Sequence, residues 1–209
     1  MNKTMEKEEK DILKKIRSSR ACISDGYQLF TGNFRKLFRM TWPVAVGFAV
    51  VSAIASALPV LLSPTLVWPA MALETLAVIV YLYLSNRILH KRSFLEKTEK
   101  ASAAGWMRHL GMVLLVGIVC LFIVAILTLF TSLPSIIMMA ANWESQMGVM
   151  NGDPLGMPSY VIWLSIGAFL LAGFLQAYIW LTTICPMYLA KTSIVLQEQE
   201  RKALYNEKS

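Results

Sequence analysis

The stretch MTWPVAVGFAVVSAIASALPVLLSPTLVWPAMALETLAVIVYLYLSN, residues 40–86, holds a single Asp, Glu, Lys or Arg, Glu74, in 47 positions. A helix that crosses the hydrocarbon core of a bilayer needs about 20 apolar residues at about 1.5 Å rise each. The stretch is therefore too long for one crossing and right for two with a tight turn. Pro59, Pro64 and Pro69 mark that turn, where a chain leaving the bilayer tolerates lost backbone donors. Spans are expected at 41–62 and 66–85. Farther along, only Glu144 and Asp153 are charged between Arg108 and Lys191, which predicts spans at 110–133 and 160–185. Charged residues make up 16% of the chain, against about 25% in soluble domains. The fold class expected is all-α, an integral membrane four-helix bundle. Residues 1–39 form its N-terminal segment, 40–186 its membrane domain and 187–209 its tail.

The bases set a direction. Of the 20 Lys and Arg, ten lie in 1–39, six in 87–109 and four in 190–209, and none falls in the turn after the first span or in 134–159. Short segments rich in Lys and Arg stay cytoplasmic. The pattern predicts both termini inside (N-in/C-in) with 134–159 as an outer loop, in which 135–141 extends the third span or lies at the interface. Trp42, Trp68, Trp106, Trp143 and Trp163 fall near span ends, where an indole's polar edge meets the headgroups. Trp180 lies about five residues inside the fourth span.

Residues 25–41 carry an amphipathic pattern. Tyr27, Phe30, Phe34, Leu37, Phe38 and Thr41 recur at three- and four-residue spacing, with Gln28, Arg35, Lys36 and Arg39 on the other side and Asp25 placed as N-cap. Aromatics facing bases describe an interfacial helix that lies on the membrane and turns into the first span at Trp42-Pro43. The partner this implies is a lipid bilayer with anionic headgroups; a cytoplasmic protein docked on the same helix is the alternative. Upstream, Glu6 with Lys10 and Asp11 with Lys15 are i,i+4 pairs of a solvated helix. The tail past Pro186 continues the helical pattern through residues 194–204.

A faint repeat relates Phe34-Arg35-Lys36-Leu37-Phe38 to Trp106-Met107-Arg108-His109-Leu110, each leading into an inside-to-outside span. Small residues form two stripes, Ala45, Ala49, Ala53 and Ala57 with Ser52 and Ser56 in the first span, and Ala168, Ala172, Gly173 and Ala177 in the fourth. Small side chains permit close helix approach in lipid, so both stripes are expected at helix contacts. Cys22, Cys120 and Cys185 lack metal-ligand spacing, and the outer segments contain no Cys, so neither a disulfide framework nor a metal is expected. The first 39 residues do not have the form of a cleavable signal peptide. These features fit a bacterial cytoplasmic membrane.

Glu74 is the residue whose depth is expensive, because a charged carboxylate at a span centre costs on the order of 2.5–3.5 kcal/mol. No base lies in any span to pair with it. Ser56, Thr128 and Ser165 come to similar depth and are its expected partners, and Gln176 is a weaker polar candidate deeper in the fourth span. One reading is a neutral, hydrogen-bonded Glu that fixes helix register; the other is a proton or cation site in a small transporter.

Catalysis finds no constellation here. The two histidines, His90 and His109, both lie in the 87–109 loop, too few for a membrane di-iron site. Intramembrane serine proteolysis needs a buried base, and an aspartyl dyad needs two in-span carboxylates. No phosphate-cradling Gly-rich loop is present. Met138, Met139, Met147, Met150 and Met157 suggest a Cu(I) site by ligand softness, but methionine is common throughout, twelve in all, and no His or Cys joins them. Asn151-Gly152-Asp153-Pro154 reads as a turn. The net charge of +7 sits beside apolar spans, matches no nucleic-acid reading module and points to lipid rather than nucleic acid. No cofactor is expected.

Gly26-Tyr27-Gln28-Leu29-Phe30, then Asn33-Phe34, leading to Trp42-Pro43, resembles the lead-in helix of the multi-span bacterial membrane domains attached to glycerophosphodiester phosphodiesterases. The resemblance covers about 25 residues, and those domains often have six spans against four here. It implies a non-catalytic membrane module. The function expected is therefore a non-enzymatic accessory, anchoring or assembly subunit, and the alternative is a small homo-oligomeric transporter or channel subunit built on Glu74.

Overall fold

A computed structural model describes residues 15–61, 64–92, 94–95, 103–152 and 159–206. The Glu6–Lys10 and Asp11–Lys15 pairs, the end of the 151–154 turn and Met157 fall wholly or partly outside them. Every regular element among the described residues is helical: α1 (Ser19–Gly32), α2 (Phe34–Leu61), a 3-10 turn (Pro64–Leu66), α3 (Val67–Lys91), α4 (Ala103–Arg108), α5 (Leu110–Met150), α6 (Ser159–Leu181) and α7 (Ile184–Asn206). Four helical runs are long and apolar enough to cross a membrane, namely α2, α3, α5 and the run from Tyr160 to Tyr205 that begins in α6.

The boundaries differ from the expected ones in four places, each for a local reason. Asp25 does not cap a helix. Ser18 caps α1, its backbone extended and its hydroxyl accepting from the Ala21 N–H, while Asp25 accepts from Arg17 Nε at 2.8 Å. Trp42-Pro43 is not a junction either. The break falls at Asn33, and α2 runs through Pro43 without interruption. Gly32 and Asn33 tolerate a break that β-branched or bulky residues would resist, and one missing N–H is absorbed in a long helix held by its neighbours.

The segment expected as an outer loop, 134–159, is helical as far as Met150, with Pro134 inside α5. Hydroxyls line the turn before that proline. Thr131 donates to the carbonyls of Leu127 and Thr128, and Ser132 to that of Leu129, back-bonds to the helix's own backbone in the turn that precedes the proline. The helix ends where Gly152 adopts φ +92°, the left-handed conformation that glycine adopts at no steric cost. With 41 residues, α5 is about 60 Å long, twice the hydrocarbon thickness. Helix α6 ends at Leu181, short of the 185 expected for the fourth span; Thr182 and Thr183 turn, and Pro186 sits in the first turn of α7, where its missing N–H costs nothing.

The chain divides into two compact units, Met1–Leu37 with Leu89–Ile123 and Thr182–Ser209, and Phe38–Ile88 with Val124–Leu181. In the first, α1 and α4 both pack on α7. Cys22, Gly26 and Phe30 form the buried line of α1. A Cβ on Gly26 would meet Pro186 Cα at 2.6 Å, so the α1–α7 contact is backbone against backbone. Arg17 is buried, its N–H donating to Ser193 Oγ at 3.0 Å. Burial raises the Cys22 thiol above its ordinary pKa and pushes the Tyr27 phenol up to about 12. Arg108 bonds Glu198 at 2.9 Å on the surface.

In the second unit the small residues meet as expected. Ala45, Ala49 and Ala53 are buried, as are Ala172 and Ala177. A Cβ on Gly173 would lie 3.1 Å from both Cα and O of Ala49, so glycine eases a close approach of α6 to α2 that a methyl would crowd. Phe169 packs with Ala53 and Ala57. Phe38 stacks on Tyr178, with centroids 5.2 Å apart. Phe48 and Tyr81 close the contact of α2 with α3 at 5.0 Å.

The repeat has a structural counterpart one helical turn away from where the sequence aligns it. Asn33 and His109 are each a one-residue break between a helix and a longer one. Each donates its N–H to the carbonyl four residues back, Leu29 or Gly105, and each carbonyl accepts from the third and fourth residues on, Lys36 and Leu37 or Met112 and Val113. The sequence pairs Phe34 with Trp106, whereas the backbone pairs Asn33 with His109.

Candidate functional site

Glu74 sits two turns into α3, about 10 Å from Val67 along the helix. On α2, Ser56 and Ser52 lie about 7 and 14 Å in from Leu61, so depth alone does not choose between them. The structure chooses Ser52, whose hydroxyl donates to Glu74 Oε1 at 2.9 Å. Ser52 is 3% exposed and stands beside the alanine stripe, which was the signal available in the sequence.

The other expected partners go elsewhere. Ser165 is buried and donates to its own helix at the Val161 carbonyl, 2.9 Å away. Thr128 Oγ1 is buried without a hydrogen-bond partner and does not line the Glu74 pocket. Gln176 is half-buried and also lies off that pocket. Ser56 does line it.

The pocket measures about 330 Å³. Three hydroxyl residues, Ser56, Ser132 and Ser135, line it beside Glu74, and the two on α5 flank Pro134. The rest of the wall is apolar, with Ala55, Ala70, Met71, Ile136, Met139 and Phe169 among its residues. Glu74 Oε2 and Ser135 Oγ are buried and have no hydrogen-bond partner. A buried polar atom without a partner costs on the order of 1–3 kcal/mol, and these two belong to residues that line one pocket, where a polar or charged guest would relieve both. Ser132 and Ser135 were not expected in the site; Ser132 lies at the end of the expected third span, 110–133, and Ser135 just past it, beyond Pro134.

The interfacial residues divide between the units. In the first, Phe30 and Leu37 are buried in protein and Phe34 is exposed, its ring 5.7 Å from that of Phe30. Arg35 is exposed, Lys36 half-buried with its ammonium 5.3 Å from the Phe94 ring centroid, and Tyr27 half-buried. In the second, Phe38 and Arg39 are exposed and Thr41 is buried. The apolar line expected to face lipid therefore packs partly on protein. No group of three or more His, Cys, Asp or Glu that could hold a metal occurs among the described residues, and Cys22, Cys120 and Cys185 are buried and free. No protein-family model matches the chain, nor does any curated protein or solved structure.

Proposed function

We propose that the chain is a four-span protein of a cytoplasmic membrane, both termini and 87–109 inside, acting without catalysis as an accessory, anchoring or assembly subunit. The observation that carries this reading is the first unit. Its three segments, which hold every Lys and Arg except Arg39 and Arg87, fold together around a buried Arg17 and a core of their own. Connections that only joined spans would need neither. On this reading Phe34, Arg35, Phe38 and Arg39 meet anionic headgroups, and the exposed end of α7, with Arg201 and Lys202, meets a protein. The test is purification in mild detergent with quantitative mass spectrometry. A stoichiometric partner that is released by Arg201→Glu with Lys202→Glu is the expected result. A chain that elutes alone or only as a homo-oligomer contradicts the accessory role.

A second reading, a homo-oligomeric transporter or channel subunit built on Glu74, draws support from the unpartnered carboxylate oxygen in its pocket. Intramembrane carboxylates mark ion and proton paths by default. Proton-coupled flux in liposomes that Glu74→Gln abolishes is what this reading requires.

A further inference from the structure

We infer that the Glu74 pocket binds a small amphiphilic primary amine, its ammonium held by Glu74 and Ser135 and its apolar body against the α2, α3, α5 and α6 walls. The inference rests on the reading of Glu74 as a working site and adds the class of guest. A volume of about 330 Å³ is roughly ten times the share of one water in the liquid and lies at the lower end of small-molecule sites. A divalent cation wants six or more oxygens, and the pocket offers one carboxylate and three hydroxyls. A phosphate or carboxylate guest would face Glu74 with no Lys, Arg or His among the lining residues. An ammonium answers each constraint. Its three N–H donors suit Glu74 Oε2, Ser135 Oγ and one further serine oxygen, its charge balances the carboxylate, and Phe169, Ile136 and Met139 take the apolar remainder.

The same ammonium could belong to an ethanolamine lipid headgroup. That guest brings a phosphate for which the pocket has no base, which favours the free amine. The probe is benzylamine, titrated calorimetrically into the full chain in phosphatidylcholine nanodiscs, with benzyl alcohol as its uncharged counterpart. Saturable binding of benzylamine is expected, with benzyl alcohol weaker by about ten-fold or more, as a charge-assisted hydrogen bond implies. Glu74→Gln should weaken benzylamine by a similar factor. Ala70→Leu, which fills the pocket and keeps the carboxylate, should abolish binding. The comparison of the two ligands on the unaltered protein stands even if a variant misfolds.

Equal affinity for the two ligands, no saturable binding at all, or full binding by a folded Glu74→Gln variant overturns the inference. Loss of benzylamine binding on changing the lipid to phosphatidylethanolamine assigns the ammonium to the headgroup and overturns the free-amine assignment. Proton flux lost in Glu74→Gln, without benzylamine binding to the unaltered protein, removes the amine and leaves the transport reading. Binding without flux supports the amine and removes transport.

Discussion

In the unit built on α1, α4 and α7, a guanidinium whose side chain is 2% exposed is held at 2.8 Å by the Asp25 carboxylate, and a serine hydroxyl takes the N–H of the same residue. In the unit built on α2, α3 and α6, alanines line the contacts and a glycine lets α6 reach the α2 backbone. No salt bridge is found in that second unit among the described residues. On the four-span reading, the contrast follows from what would surround each set of helices. In water, burying apolar side chains drives association and a charge can be buried if it is paired. In lipid the tails are as apolar as leucine, so close packing of small residues and occasional hydrogen bonds must do the joining. On the four-span reading, the two kinds of contact within one chain match two different surroundings.

Both units use a glycine where two backbones meet, which gives the sharpest comparison. Gly26→Ala puts a methyl 2.6 Å from the Pro186 Cα, so backbone must move. It should cost about 3 kcal/mol, the upper end of ordinary overpacking. Gly173→Ala meets Ala49 at 3.1 Å and should cost nearer 1 kcal/mol. Thermal unfolding in one detergent ranks the two, and a larger loss for Gly173→Ala would reverse the comparison.

Ion pairs sharpen it further within the first unit. Asp25→Asn removes the carboxylate that faces a buried guanidinium. Because the Asp25 side chain is 38% exposed, about 1–2 kcal/mol is expected, below the cost of breaking a fully buried pair. Arg108→Gln breaks a pair whose arginine side chain is 46% exposed, and about 0.5 kcal/mol or less is expected. Equal losses from the two substitutions would mean that Arg17 is not the electrostatic centre of its unit.

The long features were legible in the sequence because they follow from length and composition. A chain with one charge in residues 40–86 can form little other than apolar helices, and alanines at strict four-residue spacing face one way in any helix. The features that escaped depend on local choices of comparable energy. A proline within a long apolar helix costs one hydrogen bond, little against the packing of a 41-residue helix, so Pro134 read as a helix end and is not one. Asp25 has a good capping side chain, but the charge that needed it was Arg17, distant in the helix pattern though near in space. The choice of Ser52 over Ser56 depends on the relative height of two helices, which the length of the 62–66 connection leaves open by one turn.

The account stands on a lipid barrier between alternate segments, and orientation tests that most directly. Met107 and Met150 are 77% and 80% exposed and are exchangeable for cysteine with little change of volume, in a chain whose three native cysteines are replaced by alanine. An impermeant maleimide applied to intact cells should label Met150→Cys and leave Met107→Cys unlabelled until the membrane is opened with detergent. Labelling of Met107→Cys in intact cells, with Met150→Cys protected, would contradict the account.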